Sequence, residues 1–493
     1  MLRRIRIALA VVCFSSITLL FLDFTGTLHA WFGWLAKIQL LPAVLAVNLG
    51  IVAALVVLTL LFGRVYCSVI CPLGVMQDGF GWLGKRRKKY RYSYSPAVSW
   101  LRYGMLGVLV IAIIVGSGWL VALLAPYSAY GRIAQNLFAP LWQWGNNGIA
   151  YLAERMDSYA FYSVDVWMKS AAVFGVAALT FVILGVLAWR NGRTYCNTVC
   201  PVGTVLGMMS RFSFLKPMID ESKCNGCGLC ARSCKASCID PKAHRIDYSR
   251  CVACMDCIGA CRQEAIRYGR QKKRPTVDVS EGKADVSRRR FLSGVGLVAL
   301  TAAAKAQEKK VDGGLAVIVD KKIPDRRTPL VPPGAQGLKN MTAHCTGCQL
   351  CVSVCPNGVL RPSSKLATLM QPEVSYERGY CRPECVKCSE VCPAGAILPV
   401  TVADKSAVQI GHAVWIRENC VPLTDGVECG NCARHCPTGA ITMVGSDPEA
   451  EDSPKVPVVN IERCIGCGAC ENLCPARPFS AIYVEGHERH RIV

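Results

Sequence analysis

Residues 224–234 read CNGCGLCARSC, and residues 251–261 read CVACMDCIGAC. Both segments have the spacing C-x2-C-x2-C-x3-C. In this spacing three close thiolates cover one face of an iron–sulfur cube, and the fourth thiolate completes the cube of the other segment. The sequence therefore predicts two [4Fe–4S] clusters in this part of the chain. The predicted ligand sets are Cys224, Cys227 and Cys230 with Cys261, and Cys251, Cys254 and Cys257 with Cys234.

Four further cysteine runs follow, and all four end in Cys-Pro. They are Cys345, Cys348, Cys351 and Cys355; Cys381, Cys385, Cys388 and Cys392; Cys420, Cys429, Cys432 and Cys436; and Cys464, Cys467, Cys470 and Cys474. These runs predict four more [4Fe–4S] clusters. The arrangement resembles four-cluster ferredoxin subunits, which implies that the outer two runs exchange fourth cysteines and that the inner two do likewise. The first run is then completed by Cys474, the fourth by Cys355, the second by Cys436 and the third by Cys392.

Zinc sites and disulfides are the competing interpretations of these runs. Zinc sites favour paired C-x2-C knuckles, often with histidine ligands, and a chain of 493 residues is too long for a small disulfide scaffold. Six clusters account for 24 of the 30 cysteines, and a repeated motif described below accounts for four more. Cys13 and Cys238 remain, and we expect both to be packing residues.

Residues 7–24, 38–62, 101–125 and 170–189 are apolar, and each approaches the roughly 20 residues that cross a bilayer. Basic residues precede the first stretch and follow the second and fourth, whereas residues 25–37 and 126–168 contain few. The positive-inside rule therefore places both ends of this four-helix unit in the cytoplasm. It also explains much of the net charge of +22, which six clusters of about −2 each would lower to about +10. Nucleic acid is not an expected partner.

Residues 63–74 and 192–203 share the pattern G-R-x-Y-C-x3-C-P-x-G. Each copy follows an apolar stretch, so the membrane unit is predicted to consist of two helical hairpins related by a pseudo-two-fold axis. Cys67, Cys71, Cys196 and Cys200 could then meet and bind an additional metal or iron–sulfur cofactor. A thiol–disulfide couple in each pair and a purely structural role are the alternatives.

Residues 287–293 read SRRRFLS and precede a short apolar stretch, residues 294–304. This pattern resembles a twin-arginine export signal, with Ala304-Lys305-Ala306 as a cleavage-like site. An ordinary fifth span is the alternative, although the stretch is short for one. The twin-arginine machinery carries folded cargo, so a folded four-cluster domain is expected outside the cytoplasm. Residues 305–340 lack periodicity and are predicted to be a tether.

The predicted fold is a polytopic α-helical membrane domain with two α+β bacterial-ferredoxin-like domains. Residues 1–215 form the four-helix membrane domain, and residues 216–270 form a cytoplasmic two-cluster domain. Residues 271–340 form a linker with the export signal, and residues 341–493 form a periplasmic four-cluster domain. The predicted location is the bacterial inner (cytoplasmic) membrane, with contact to membrane lipid.

Residues 1–270 resemble NapH and MauN proteins in their spans, their two C-x3-C-P motifs and their pair of ferredoxin clusters. Residues 287–493 resemble NapG and MauM proteins in the twin-arginine signal and the four cysteine runs. Together the resemblances cover almost the whole chain and imply a fusion of two partners. They imply a quinol dehydrogenase that oxidises menaquinol and passes electrons to a periplasmic reductase or c-type cytochrome.

The NosR and CcoG proteins share the membrane motifs and imply a second function. In it the chain is a maturation factor that supplies electrons to assemble or reactivate a partner metalloenzyme. A structural membrane anchor for a reductase is a third interpretation, but it leaves the clusters without a role. The sequence has no C-x-x-C-H haem motif and no P-loop.

Quinol oxidation releases two electrons and two protons, so it needs one-electron acceptors and a proton acceptor. The ionisable residues at the outward-facing end are Asp23, His29, Asp157 and Asp165. We predict Asp23 and His29 to be catalytic, with an ordinary solvated loop as the alternative.

Overall fold

The computed structural model describes residues 1–23, 25–86, 92–270, 319–450 and 453–492, and it describes only the backbone at residues 85 and 86. The helical domain comprises the described residues up to 214. The N-terminal ferredoxin unit comprises residues 215–270, and the C-terminal ferredoxin domain comprises the described residues from 319 to 492. The predicted export signal and its cleavage-like site, residues 287–306, lie outside the described residues.

Thirteen α-helices build the described part of the helical domain. They are α1 (Leu2–Leu22), α2 (Thr27–Phe32), α3 (Trp34–Lys37), α4 (Leu40–Leu45), α5 (Leu49–Phe62), α6 (Pro72–Arg86), α7 (Ser99–Val115), α8 (Gly118–Leu124), α9 (Pro126–Ile133), α10 (Ala139–Glu154), α11 (Ala171–Asn191), α12 (Thr194–Thr198) and α13 (Pro201–Ser210). Two π-helical turns, Tyr66–Ile70 and Ala134–Phe138, join α5 to α6 and α9 to α10. Such turns are frequent at functional sites, and the first of them contains Cys67.

Only α1 and α11, with 21 residues each, are long and apolar enough among the described helices to cross a membrane. The predicted spans at 38–62 and 101–125 are each divided into two shorter helices. The first is divided into α4 and α5, because the Asn48 side chain accepts a hydrogen bond from the Ile51 amide (3.2 Å) and begins a new helix. The second is divided at Gly116, whose φ of 75° ends α7 before α8 begins.

Helix α9 is buried along its whole length, although it lies in the segment 126–168 between two of the predicted spans. Pro126 occupies the first turn, where its missing amide proton costs no hydrogen bond. The helix packs against α6, α8 and α11. A Cβ on Gly131 would lie 2.3 Å from the carbonyl oxygen of Cys348, so α9 touches the backbone of the C-terminal domain directly.

The ferredoxin parts consist of short helices and two-stranded antiparallel sheets. The helices are α14 (Leu229–Ser233), α15 (Asp256–Ala260), α16 (Leu338–His344), α17 (Leu350–Ser353), α18 (Lys387–Val391), α19 (Val402–Ala407), α20 (Val421–Thr424), α21 (Asn431–Arg434) and α22 (Ala469–Leu473). The strands are β1 (Leu215–Ile219), β2 (Ile239–Asp240), β3 (Arg245–Ile246), β4 (Ile266–Arg270), β5 (Leu360–Pro362), β6 (Pro372–Val374), β7 (Val408–Trp415), β8 (Ile441–Gly445), β9 (Lys455–Val459) and β10 (Ile482–Ile492).

Strand pairing gives two of the ferredoxin units the same frame. β1 pairs with β4 and encloses the two cysteine runs of the N-terminal unit. β7 pairs with β10 and encloses the last two runs of the chain. The remaining pairs are β2 with β3, β5 with β6 and β8 with β9.

The residues from 319 to 340, which the sequence assigns to a tether, pack on the C-terminal domain. Arg326 pairs with Glu471 at 2.5 Å and donates to the Val484 carbonyl at 2.7 Å. Leu330, Val331 and Ala335 are buried. The C-terminal domain therefore begins earlier than residue 341. The sequence places the boundary later because this segment has no helical or strand periodicity.

The two ferredoxin parts contact opposite ends of α1. Arg3 near the start of the helix pairs with Asp256 of the N-terminal unit at 2.8 Å. Just beyond its end, the Thr25 carbonyl accepts a hydrogen bond from Lys387 of the C-terminal domain at 3.4 Å. A helix of 21 residues is about 30 Å long, so the helical domain separates the two parts by roughly the thickness of a bilayer core.

Candidate iron–sulfur centres and quinol site

The N-terminal ferredoxin unit surrounds two small internal cavities with cysteine side chains. Helices α14 and α15 pack together and bring each fourth thiol to the other run, as the spacing predicts. The Sγ atom of Cys238 lies 3.5 Å from that of Cys234 and is buried, which agrees with a packing role. The two groups are Cys224, Cys227, Cys230 and Cys261, and Cys234, Cys251, Cys254 and Cys257.

The C-terminal domain pairs neighbouring runs, so the predicted nested exchange is wrong. Cys392, not Cys474, lies beside the first run, and Cys355 lies beside the second. Closing the short chain between neighbouring runs costs less conformational entropy than joining the first run to the fourth. The four groups are Cys345, Cys348, Cys351 and Cys392; Cys381, Cys385, Cys388 and Cys355; Cys420, Cys429, Cys432 and Cys474; and Cys464, Cys467, Cys470 and Cys436.

Backbone amides donate hydrogen bonds to fourth thiols in both ferredoxin parts. The distances from nitrogen to Sγ are 3.3 to 3.4 Å. Such bonds favour the thiolate over the thiol and are among the contacts that set cluster potentials. The donor and acceptor pairs are Ala265 to Cys261, Ile397 to Cys392, Ala440 to Cys436 and Ala481 to Cys474.

Buried and half-buried lysines lie beside several of these thiol groups. Lys235 is within electrostatic range of Cys254, and Lys405 contacts Cys381. Lys321 donates to the Cys474 carbonyl at 3.0 Å, and burial lowers its pKa to about 8. A cluster with four thiolate ligands is anionic, so these cations suit its charge.

The thiol groups fit four-iron clusters better than single ions. Within the described ranges, no three His, Cys, Asp or Glu side chains converge closely enough to hold one metal ion. Each cubane iron takes a different cysteine, so its four ligands surround a cavity rather than a point. Such cavities are present at the groups completed by Cys261, Cys234 and Cys474.

The two C-x3-C-P motifs bring their four thiols into one buried group. Cys67, Cys71, Cys196 and Cys200 are each at most 6% exposed and lie within electrostatic range of one another. The meeting of the four thiols agrees with the prediction from the repeat. Their position between the helices and the N-terminal unit follows from the hydrogen bond of Arg64 to the Ser249 carbonyl (3.1 Å).

The arginines of the two motifs exchange contacts. Arg64 donates to the carbonyl of Cys196 at 3.2 Å, and Arg193 donates to the carbonyl of Cys67 at 2.6 Å. Both guanidinium groups are fully buried. The glycines that end the motifs, Gly74 and Gly203, accommodate the crossing because a Cβ there would lie 2.3 and 2.2 Å from those same carbonyl oxygens.

The predicted catalytic residues Asp23 and His29 form a buried pair. His29 Nδ1 lies 3.2 Å from Asp23 Oδ2, and their side chains are 6% and 3% exposed. The Asp23 carboxylate also accepts hydrogen bonds from the backbone amides of Gly26 and Leu28, at 2.9 and 2.8 Å. The Nε2 atom of His29 is buried and has no hydrogen-bond partner among the described residues.

The two other ionisable residues at this end are solvent-facing. Asp157 is exposed. Asp165 pairs with Arg378 of the C-terminal domain and is 77% exposed. Lys387, which neighbours Cys388, lies within electrostatic range of His29, so the Asp23–His29 pair lies close to the second run of the C-terminal domain.

Sequence reasoning missed a carboxylate at the opposite end of the bundle. Asp78 on α6 pairs with Arg6 at 3.1 Å, with Arg193 at 2.7 Å and with Lys235 at 2.8 Å. These partners come from α1, from the second motif and from the N-terminal ferredoxin unit. The sequence does contain one indication of this carboxylate. Asp78 lies seven positions after a C-x3-C-P cysteine, inside an apolar helix.

Buried polar side chains connect the C-x3-C-P group to the first run of the C-terminal domain. Tyr127 on α9 is within electrostatic range of Tyr66 on one side and of Cys348 and Cys392 on the other. Arg132, also on α9, is within range of Tyr195 and Cys348. No periodic pattern in the sequence indicates this link, because α9 is short and uniformly buried.

Family models match five segments of the chain. A 4Fe-4S binding domain matches twice, at residues 44–91 and 172–218, and so covers each C-x3-C-P motif. A second 4Fe-4S binding domain matches residues 217–240. Two 4Fe-4S dicluster domains match residues 344–397 and 427–477, which supports the pairing of neighbouring runs. No solved structure matches the chain.

The named relatives of this chain include MauM, NapH and YccM proteins. The methylamine utilization ferredoxin-type protein MauM of Paracoccus denitrificans is 34% identical over 36% of this chain and 81% of its own length. The ferredoxin-type protein NapH of Haemophilus influenzae is 26% identical over 44% of this chain and 66% of its own length. YccM of Escherichia coli, named for electron transport, is 27% identical over 45% of this chain and 55% of its own length. The chain therefore belongs to the family of ferredoxin-type 4Fe–4S proteins that includes MauM.

Proposed function

We propose that this chain oxidises a quinol in the membrane and passes the electrons through six [4Fe–4S] clusters to a periplasmic reductase or c-type cytochrome. The observation that carries the proposal is the position of the C-x3-C-P thiols. They lie between the N-terminal unit, which they reach through Arg64, and the C-terminal domain, which they reach through Tyr127. A route for electrons through the helical domain needs a centre at this position.

The C-x3-C-P thiols would hold an additional iron–sulfur centre. The 4Fe-4S binding domain that matches around each motif favours this role over a thiol–disulfide couple or a structural one. The Gln77 amide lies 3.3 Å from Cys196 Sγ, and the Gly203 amide lies 3.3 Å from Cys200 Sγ, so donors already face the thiols. The exchanged arginine contacts support a pseudo-two-fold relation between the two hairpins.

Two buried arginines favour electron transfer at the C-x3-C-P thiols. Iron–sulfur clusters supply one-electron carriers when bound. Arg64 and Arg193 place buried positive charge beside Cys67 and Cys196, at 3.8 and 4.0 Å from the sulfur atoms. Such charge stabilises an added electron. Tyr127 and Tyr130 of α9 are buried and would keep water out of the space between the centres.

Asp23 and His29 are the proposed proton acceptor for quinol oxidation. Asp23 holds the Nδ1 side of the imidazole, which leaves Nε2 to accept a hydrogen bond from a quinol hydroxyl. Oxidation of one quinol to a quinone releases two protons and two electrons. The thiol group nearest this pair, beside Lys387, belongs to the C-terminal domain.

The proposed location is the bacterial inner membrane. The N-terminal unit would face the cytoplasm, beside the basic residues Arg3 and Arg6, and the C-terminal domain would face the periplasm. Four spans, twin-arginine export of the C-terminal domain and a NapG–NapH type of fusion belong to the same proposal. The two apolar helices and the NapH and YccM relatives support membrane association.

Low-temperature EPR of the anaerobically purified full-length protein tests the function. Addition of menaquinol should produce reduced-cluster signals in the wild type, and replacing His29 with Gln should slow their appearance. Dithionite should reduce both proteins equally, which shows that the clusters are intact. If dithionite reduces the wild type but menaquinol does not, quinol oxidation is refuted, and the maturation function with a soluble cytoplasmic donor takes its place.

A further inference from the structure

A cavity of about 650 Å³ opens between α1, α6 and α11, at the end that carries the N-terminal ferredoxin unit. Phe80, Phe138 and Phe181 form one apolar wall, with Phe181 centred 5.4 and 6.0 Å from the other two rings. Ala10 and Gly79 on facing helices leave the space open, and a Cβ on Gly79 would meet no atom within 4 Å. The volume and the apolar walls are typical of a small-molecule site.

The polar end of this cavity carries excess positive charge. Asp78 pairs with Arg6, Arg193 and Lys235, and a second carboxylate, Asp256, pairs with Arg3 and Lys235. Three of these cations, Arg3, Arg6 and Lys235, line the cavity beside the two carboxylates, which gives a net charge of +1. The Nε atom of Arg6 is buried and has no partner within the described ranges, so a donor remains for a ligand oxygen.

Redox thiols lie on two sides of the same cavity. Gln77 lines it, and its amide lies 3.3 Å from the Sγ atom of Cys196. Lys235 and Asp256 also line it, and both are within electrostatic range of Cys254. A ligand bound here would therefore sit between the C-x3-C-P group and a cysteine group of the N-terminal unit.

We infer that this cavity binds the ring of a quinone or quinol, at a site separate from the Asp23–His29 pair. The two places lie near opposite ends of α1, a helix of about 30 Å. An apolar slot with a charged end also suits an anionic phospholipid. A quinone is favoured because only a redox-active ligand makes use of thiol groups on both sides. The inference rests on the proposed function and adds a second place where quinol meets the chain.

The contacts assign roles to two side chains. Asp78, held ionised by three cations, accepts a hydrogen bond from one hydroxyl of a bound quinol. Arg6 donates to the same oxygen when it becomes a carbonyl. On oxidation the two O–H bonds would break and the two protons would leave to water at the cavity mouth. The iron–sulfur centres that the neighbouring thiol groups would hold would supply acceptors for the two electrons, one at a time. The product is the quinone.

Fluorescence quenching of heptyl-hydroxyquinoline N-oxide, a quinol analogue, tests the site on the full-length protein. Gly79→Leu places a side chain in the open space and should weaken binding at least about tenfold. Gly107→Leu is the matched control, because Gly107 lies on α7, away from the cavity, and a Cβ there also meets no atom within 4 Å. It should leave the dissociation constant unchanged, and iron per chain should be equal in all three proteins.

The outcomes separate this inference from the proposed function. Equal binding to wild type and Gly79→Leu, together with normal cluster reduction by menaquinol, overturns the cavity assignment and leaves quinol oxidation standing. Loss of binding in His29→Gln but not in Gly79→Leu places the analogue at the other end and also overturns it. The third outcome is that the wild type does not bind the analogue and that Gly79→Leu retains less phosphatidylglycerol than the wild type does. The cavity is then a lipid site, and the inference is refuted.

Discussion

Gly203 has no room for a side chain, because a Cβ would lie 2.2 Å from the Cys196 carbonyl oxygen and 2.8 Å from Arg64 Nη2. We expect Gly203→Ala to push the two motifs apart and to lower the free energy of unfolding by about 1–3 kcal/mol. Iron per chain should fall as well if the four thiols hold a cofactor. Thermal unfolding and iron analysis measure both effects.

Gly107→Ala is the control for this substitution, since the added methyl group meets open space in the middle of a helix. It should unfold at the wild-type temperature or slightly above it, because alanine favours helix more than glycine does. If Gly203→Ala behaves like the control, the close approach of the motifs does not limit packing.

His490 makes the stability of the C-terminal domain depend on pH. Burial, and then the neighbouring His487, lower the pKa of His490 to about 4. In the unfolded chain the pKa of this histidine is near 6.5, so the unfolded chain binds the proton more tightly. The stability of the folded domain is therefore unaffected by His490 above about pH 6.5 and falls as the pH is lowered toward 4. Urea unfolding between pH 7 and 4.5 should show a steeper loss for the wild type than for His490→Phe. Parallel curves would contradict the assignment.

At the scale of single residues, the sequence shows the cysteines but not the groups around them. Spacing alone identifies the runs at 224–234 and 251–261, because a cluster needs three close thiolates and one distant one. Asp78 carries no comparable signal. Its three cations lie at positions 6, 193 and 235, and only the folded chain brings them together.

Among the elements, α9 carries a buried arginine with two unpartnered nitrogen atoms among the described residues. Arg132 is fully buried, and one guanidinium nitrogen donates to the Ala122 carbonyl at 2.6 Å. Its Nε and Nη2 atoms have no partner in the described part of the chain. The thiol of Cys348 lies within electrostatic range of this guanidinium group.

We expect Arg132→Met to make the reduction potential of the cluster at Cys348 more negative. Removing a buried positive charge disfavours the added electron, and the low local dielectric enlarges the effect. A redox titration followed by EPR measures the shift. Arg155→Met, which changes an exposed arginine one helix further on, is the control and should leave every potential unchanged. Equal potentials in both variants would place Arg132 outside the electrostatic field of the cluster.

The helices show where periodicity and hydropathy stop being informative. Continuous apolar composition at 38–62 and 101–125 predicts long helices, but Asn48 and Gly116 end them locally through a cap and a left-handed φ. Helix α9 is missed for the opposite reason. All eight of its residues are buried, so it shows no alternation between apolar and polar faces.

For the whole molecule, the pairing of runs can be tested by counting iron. Cys345→Ser and Cys392→Ser should each cost one cluster, about four irons per chain, and the double variant should cost no more than either single variant. Cys345→Ser combined with Cys474→Ser should cost about eight. A nested pairing reverses these two results.

The order of the domains follows from the sequence, but their contacts do not. Clusters of cysteines and apolar stretches fix the succession of parts. The docking of the C-terminal domain on α9, through Gly131 and Cys348, depends on a backbone approach that no residue pattern encodes. The nested pairing failed for the same reason, since spacing identifies ligands but not which runs become neighbours.

The crossed arginines have a consequence for the origin of the helical domain. Arg64 donates a hydrogen bond to a cysteine carbonyl of the second motif, and Arg193 donates one to a cysteine carbonyl of the first. Neither copy is therefore complete by itself. Contacts in which each half supplies the other's missing group are those of a symmetric dimer. A shorter ancestor with a single motif would have needed a second, identical chain, and duplication would have turned that dimer into one polypeptide.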